Sequence, residues 1–259
     1  MAQCFSEKTP YALSVSQMNI WNAEKAFWGT SINIICATIR INGALDIDAL
    51  QRSIDALVRA EDGLRTRITL CAASPVQYTV PYEYAVFPVY DFTRTDTGGL
   101  AHWEETLTRE PMPVVDAPLY DFRIFKQNES EGGILVRTHH IISDGWSQML
   151  LCNRIASSYL RLVSNGEADA ECSPSYRLHI DKEQEYLSSR AHEKDLAFWR
   201  ERLVGFEGAS AVKDCLSATV SPVGRRKTFT LSHVLNHLIR AYCEKERVAP
   251  FAVYYMALA

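Results

Sequence analysis

The alternation of strand-like and helix-like patterns is the sequence feature that most narrows the fold of this chain. Residues 31–41 (SINIICATIRI) are apolar and β-branched, as strands are, and Asn42-Gly43 behind them is a turn signal. Asp46 then begins an amphipathic helix, which Gly63 ends. Strands interleaved with helices predict an α/β (α+β) fold in which a mixed sheet is flanked by helices.

The same signals predict elements along the rest of the chain. Ser14 or Ser16 can cap a first helix, and Tyr186, Phe198 and Trp199 are expected to anchor a later charged helix in a core. The other predicted segments are strands at 64–70, 76–80 and 84–90, a helix at 99–109, a hairpin of strands 119–126 and 133–138, a long helix at about 146–163, the charged helix at about 181–203, a strand at 227–231, a helix at 232–246 and a last helix from Pro250.

A change in composition predicts the domain boundary. Residues 164–175 (SNGEADAECSPS) are polar, acidic and free of large apolar side chains. Such stretches are typical of linkers. We therefore predict an N-terminal lobe over residues 1–164, a linker over 165–175 and the beginning of a second lobe over 176–259. The final apolar run, 251–259 (FAVYYMALA), needs a partner layer, so the sequence is expected to be a fragment.

Composition excludes several classes of function. A net charge of −4 gives no electrostatic reason to expect a nucleic-acid or membrane partner. The first ten residues do not resemble a signal peptide, and no apolar run approaches the ~20 residues of a membrane span. The seven cysteines are scattered and contain no CxxC pair, which indicates reduced thiols in a cytoplasm and no zinc site.

The candidate chemistry lies where the predicted hairpin ends and the long helix begins. There the sequence reads THHIISDGWS, over residues 138–147. Successive side chains of a strand point to opposite faces, so His139 and His140 should diverge, one into a cavity and one into the scaffold. Adjacent histidines that diverge are a poor metal shell, so we expect no metal at this motif.

The residues after the histidines suit a helix start beside a reacting group. Asp144 can cap the backbone N–H groups of the helix, and Gly145 leaves room for a substrate or a histidine ring. An exposed N–H there could stabilise an oxyanion, which favours acyl transfer assisted by a histidine without a covalent enzyme intermediate. The sequence contains no GxSxG elbow. The alternative is structural, because Ser-Asp-Gly is also an ordinary helix start and a His-His pair is often incidental.

The motif and its neighbours resemble a known family. HHIISDGWS resembles the HHxxxDG signature of condensation domains of nonribosomal peptide synthetases, in the chloramphenicol acetyltransferase-like superfamily. Further similar segments follow the family order: residues 13–21 (LSVSQMNIW, family LSxxQxxxW), 61–68 (EDGLRTRI, family RHExLRTxF), 118–123 (PLYDFR) and 186–199. The resemblance covers essentially the whole chain. It departs at Ala60-Glu61-Asp62, where the family has Arg-His-Glu.

The resemblance implies the architecture and the partners. Condensation domains have two chloramphenicol acetyltransferase-like lobes in a V, of which this chain would supply the first and the start of the second. Substrates arrive as thioesters on phosphopantetheine arms of donor and acceptor carrier protein domains, or as acyl-CoA. The resemblance therefore implies a monomer that binds no cofactor itself and lies next to an adenylation domain.

The resemblance also assigns roles to residues. His140 would be catalytic, positioning the acceptor amine and taking its proton. His139 and Asp144 would support it, Asp144 through an ion pair for which Arg65 is the candidate partner. In the same motif, the backbone of Gly145 would line the reacting centre. Trp146 and Ser147 would bind substrate.

Several alternatives stay open at this point. The first of the similar segments begins at Leu13, near Met1, which leads us to expect a starter domain that N-acylates the first amino acid. A free-standing CoA-dependent acyltransferase and a non-catalytic scaffold domain share the fold. Epimerisation domains share HHxxxDG, whereas heterocyclisation domains usually have aspartates in place of the two histidines. The isolated fragment is expected to be inactive or weakly active.

Overall fold

The computed structural model describes residues 9–94, 98–167, 171–206, 224 and 228–258. A short 3-10 helix, Asp62–Arg65, precedes the third strand. The strands and helices follow one another as β1 (Tyr11–Ala12), α1 (Val15–Ala26), β2 (Ile34–Asn42), α2 (Ile47–Ala60), β3 (Thr66–Cys71), β4 (Ser74–Thr79), β5 (Val89–Asp91), α3 (Gly99–Arg109), β6 (Tyr120–Asn128), β7 (Glu131–His139), α4 (Gly145–Asn165), α5 (Tyr176–Leu187), α6 (Arg190–Arg202), α7 (His233–Glu246) and α8 (Pro250–Leu258).

Two sheets organise the first part of the chain. One has the order β2-β7-β6-β5, with antiparallel pairs except for β5, which runs parallel to β6. The other is antiparallel, with the order β1-β4-β3. The mixed sheet flanked by helices confirms the predicted fold class, and β6 and β7 form the predicted hairpin.

Helices cover both faces of the four-stranded sheet. Alternate side chains such as Phe122 and Val136 pack with α2 and α4 into the larger hydrophobic cluster. On the opposite face, Phe125 contacts Trp103 of α3. This double cover explains why β7 is buried along nearly its whole length. Gly133 is required at its position, because an added Cβ would overlap the carbonyl oxygen of Ile39 on β2.

Capping residues determine where the helices begin and end. Of the two predicted caps of α1, Ser14 is the one used, in a capping box whose reciprocal hydrogen bonds with Gln17 measure 2.9 and 3.1 Å. Asp144 caps α4, as predicted. Gly166 ends α4 in the left-handed conformation, with φ of 80°.

Four predictions outside the motif are wrong. The charged helix is two helices, because Ser188 caps the end of α5 and the hydroxyl of Ser189 accepts from the N–H of His192 at the start of α6. Only the end of the segment 84–90 enters a strand, as β5. Residues 228–231 form no strand, and Lys227 lies outside the described residues. The expected core anchors are all exposed: Tyr186, Phe198 and Trp199.

The described residues group into two compact units, within Met1–Phe198 and within Trp199–Ala259. In the second unit α7 packs against α8, and Cys243 is buried. The predicted lobe boundary at 165–175 stays a prediction. No helix in the described part of the chain is long and apolar enough to cross a membrane.

Candidate active site

The two adjacent histidines point to different environments. His139 is the last residue of β7 and is 0% exposed, whereas His140 is exposed in the turn that follows. His140 lines a cavity of about 540 Å³. The predicted divergence of the two side chains is therefore confirmed.

The cavity lies between α1, the motif loop and α5. Of the predicted site residues, His140, Asp144 and Ser147 line it, while Gly145 and Trp146 are not among the described residues at its wall. Trp146 is 68% exposed in the first turn of α4. The described lining is completed by residues of three segments: Ser16, Gln17, Asn19, Ile20, Ile141, Ile142, Ser143, Tyr176 and His179.

His139 is held by a buried polar network. Its Nδ1 accepts a hydrogen bond from the backbone N–H of Ile141 at 3.1 Å. Its Nε2 lies 3.4 Å from Oε2 of Glu24, which also accepts from the amide of Asn33 at 2.8 Å. This pattern assigns the ring proton to Nε2. Burial lowers the pKa of His139, and the nearby Glu24 raises it by less. The ring is therefore neutral at pH 7.

The backbone around His140 is held from both sides. The N–H of His140 donates to the carbonyl oxygen of Asn33 at 2.7 Å. The carbonyl oxygen of Ile141 accepts from Nε2 of Gln17 at 3.1 Å, and Gln17 is in turn hydrogen-bonded to Gln77 of β4. The loop that presents His140 is thus fixed by α1, by the segment before β2 and by β4.

Asp144 caps α4, and the ion pair predicted for it with Arg65 is wrong. The Asp144 carboxylate accepts from the N–H of Ser147 at 2.7 Å, and hydrogen bonds from Ser147 lower the pKa of Asp144. Arg65 is buried and donates to the carbonyl oxygen of Val80 at 3.3 Å, so both residues are described but no ion pair joins them. The physical reason is that the guanidinium points toward the end of β4, while the carboxylate turns back to its own helix.

Gly145 borders open space. Apart from its two chain neighbours and the backbone of its own helix, no atom of the described residues would lie within 4 Å of a Cβ added to Gly145. The expectation that a histidine ring requires this glycine is therefore wrong, because no histidine ring in the described ranges comes that close. The remaining reason for a glycine, the approach of a substrate, stays a prediction.

The sequence matches the condensation domain family over residues 7–258. The chain belongs to this family. Surfactin synthase subunit 1 of Bacillus subtilis (strain 168) is 32% identical to it over 263 residues, which is 98% of the chain but 7% of that protein. One of the plipastatin synthase proteins of the same strain is 26% identical over 245 residues, or 94% of the chain and 10% of that protein. The condensation domain segment is thus a small part of the length of these synthetases.

Solved structures confirm the predicted chloramphenicol acetyltransferase-like fold of this condensation domain chain. The starter condensation domain of rhizomide synthetase superposes with a TM-score of 0.72 at 22% identity, over 79% of this chain and 50% of that one. The first condensation domain of the CDA synthetase gives a TM-score of 0.65 at 20% identity, over 77% and 51%. The chain therefore spans about half the length of these solved condensation domains.

Two of the residues that depart from the family pattern at 60–62 bind residues of later segments in this condensation domain chain. Glu61 forms a salt bridge with Arg154 of α4. Asp62 accepts from the N–H of Tyr176 at 3.2 Å, at the start of α5. The two acidic residues therefore help to hold α5 and α4, and α5 brings Tyr176 and His179 to the cavity.

Sequence reasoning missed residues of two kinds. Tyr176 and His179 belong to the cavity, with ring centroids 5.4 Å apart, but nothing in the sequence of α5 marks them. Glu24 and Asn33 lie behind His139 and belong to no motif. Glu24 occupies a buried position of α1. Because a buried carboxylate needs a polar partner, this position could have marked Glu24 as part of a network.

The site can hold a base, and no cysteine is among the described residues that line it. Burial raises the pKa of Cys36 and of Cys152, which keeps both protonated at neutral pH, and neither lines the cavity around His140. Within the described ranges, no three His, Cys, Asp or Glu side chains gather as a metal-binding group. The arrangement provides an accessible imidazole next to a helix N-terminus, which suits proton transfer to a substrate that brings its own nucleophile.

Proposed function

We propose that this condensation domain chain supplies the reacting centre for amide formation between two thioester-bound substrates. The observation that supports the proposal is the position of His140, which is exposed and lines a cavity while its neighbour His139 is fully buried. An acyl or peptidyl group would pass from a donor thioester to the α-amine of a carrier-bound aminoacyl acceptor. Donor and acceptor carrier domains and an adenylation domain are the partners implied.

The proposed reaction needs one base and no covalent enzyme intermediate. The acceptor nitrogen attacks the thioester carbonyl carbon, a C–N bond forms and the C–S bond breaks. His140 takes the proton of the amine and returns it to the leaving thiolate. The carboxylate of Asp144, at the same cavity wall, favours the transient imidazolium, by a modest amount because it is exposed. The open space beside Gly145 would admit the thioester carbonyl to the N-terminus of α4.

Within this function we propose a starter role, in which the donor is an acyl thioester. The support is structural likeness: a variant of the rhizomide starter domain was crystallised with C8-CoA and superposes on this chain with a TM-score of 0.69 at 22% identity. The full synthetase, offered an acyl-CoA or an aminoacyl carrier protein as donor, is expected to use the acyl-CoA. Exclusive use of the aminoacyl donor would refute the starter role and leave the amide-forming function in place.

The variant His140→Ala tests the function itself. In the full synthetase, mass spectrometry of the condensation product should show a loss of about 10²–10⁴-fold, the range of general-base contributions. His102→Ala, an exposed histidine of α3, is the matched control and should be silent. Unchanged product from His140→Ala would favour the scaffold alternative, and a stable trimer of this chain in sedimentation would favour the free-standing acyltransferase.

A further inference from the structure

A buried carboxylate stands behind the loop that presents His140. Glu24 lies near the end of α1 and is 4% exposed. Its Oε2 accepts from the Asn33 amide at 2.8 Å and faces Nε2 of His139 at 3.4 Å. Burying a carboxylate is costly even when it is paired. The sequence motifs do not explain why a carboxylate is buried at this position.

We propose that Glu24 is a positioning residue for His140 that acts through His139, an inference that rests on the proposed function. An acceptor at Nε2 selects the ring tautomer that has its proton there. The other nitrogen, Nδ1, is then free of a proton and can accept the N–H of Ile141, as it does at 3.1 Å. Glu24 thus determines which hydrogen bond His139 makes to the residue after His140.

The network fixes the backbone on both sides of the His140 side chain. The N–H of His140 donates to the carbonyl oxygen of Asn33, the residue whose amide binds Glu24. The N–H of the next residue, Ile141, is the one bound by His139. In the other tautomer, Nδ1–H and the N–H of Ile141 would be two donors facing each other, and the loop would have to move.

The expected consequence is misplacement of the His140 ring. A shift of about 1 Å can cost about 10²-fold in rate. Glu24→Leu removes the acceptor and should release the tautomer. Glu24→Gln should retain it, because both hydrogen bonds go to one oxygen, which the Gln amide oxygen can replace. A negative charge is not needed for this role.

Nitrogen NMR of the chain with ¹⁵N-labelled histidine tests the tautomer without any need for activity. At pH 7, we expect His139 to show a protonated Nε2 and an unprotonated Nδ1 in the unmodified chain and in Glu24→Gln, and a mixture or the reverse in Glu24→Leu. A protonated Nδ1 in the unmodified chain would overturn the proposal, even if a variant failed to fold. An unchanged His139 spectrum in folded Glu24→Leu would overturn it as well.

Kinetics in the full synthetase test the link to His140. Glu24→Leu should lower kcat about 10–100-fold with little change in KM, and add nothing to His140→Ala, because it acts through that ring. Ser53→Ala, which removes a buried hydrogen bond of 2.7 Å within α2, is the control for destabilisation and should leave kcat unchanged.

The kinetic results also separate the inference from the function on which it rests. Full activity of His140→Ala would refute the proposed function, whatever Glu24 does. Loss of activity in His140→Ala together with unchanged kcat in Glu24→Leu would refute the positioning role alone.

Discussion

Replacement of Asp144 tests how α4 begins, and with it the orientation of the loop next to His140. In Asp144→Ala the N–H of Ser147 loses the oxygen that it contacts at 2.7 Å. Loss of an N-cap costs about 0.5–2 kcal/mol of the free energy of unfolding. Asp144→Asn keeps an oxygen acceptor and loses only the charge, which is worth about 0.3–1 kcal/mol at an exposed helix N-terminus. The Asn variant should therefore lie between the unmodified protein and the Ala variant.

The pH dependence of this difference follows from the pKa of Asp144. Hydrogen bonds from Ser147 are the main cause that lowers this pKa in the folded chain. The unfolded value is about 3.9. A carboxyl group whose folded pKa is depressed contributes stability above the unfolded pKa and loses it as the pH falls through the folded pKa. The advantage of Asp144 over Asn should thus be constant from pH 7 to about pH 5, decline as the pH falls below about 4, and vanish only below the lowered folded pKa.

Urea unfolding followed by circular dichroism measures these differences. At neutral pH, each 1 kcal/mol should also shift Tm by about 2–4 °C for a chain of this size. The double variant of Asp144→Asn with Arg65→Met should show a coupling energy below about 0.5 kcal/mol, as expected for residues without a direct contact. A larger coupling, or equal destabilisation by Asn and Ala, would refute the capping account and restore the ion pair.

Three further variants, one of them with a matched control, test the fold and the cavity. Gly133→Ala should lose about 3 kcal/mol or more in urea unfolding, because its Cβ overlaps a β2 carbonyl, whereas Gly63→Ala meets open space and should be within about 0.5 kcal/mol of neutral. Gly145→Ala should unfold at the same or a higher urea concentration, yet the full synthetase should lose turnover; unchanged turnover would contradict an approach of substrate there. Gln148→Leu leaves the buried hydroxyl of Thr138 without its 2.7 Å partner and should cost about 1–3 kcal/mol, and a neutral result would contradict the network.

Local signals made much of the first unit predictable. The predicted helix 99–109 has the bounds of α3, and Asp144 caps the start of α4 as expected. The strand period separated His139 from His140 before any contact was known. These features depend on residues close together in the chain, which is why the sequence alone sufficed for them.

Features that depend on register and packing were not predictable. Glu24 meets His139 only because α1 packs beside the end of β7, more than one hundred residues further along the chain. Arg65 was assigned to Asp144 by resemblance, but the direction of its side chain is determined by the turn into β3 and by Val80. The break between α5 and α6 depends on two serine hydroxyls, which donate hydrogen bonds to backbone carbonyl oxygens of α5.

The most direct test of the account is histidine-specific acylation of the chain with diethyl pyrocarbonate, mapped by mass spectrometry. Residue 140 is exposed and lines a cavity of about 540 Å³, whereas residue 139 is 0% exposed. We predict rapid modification of His140 and none of His139 while the chain stays folded. Modification of His139 first, or a His140 that stays unmodified, would contradict the central claim that His140, and not His139, faces the substrates.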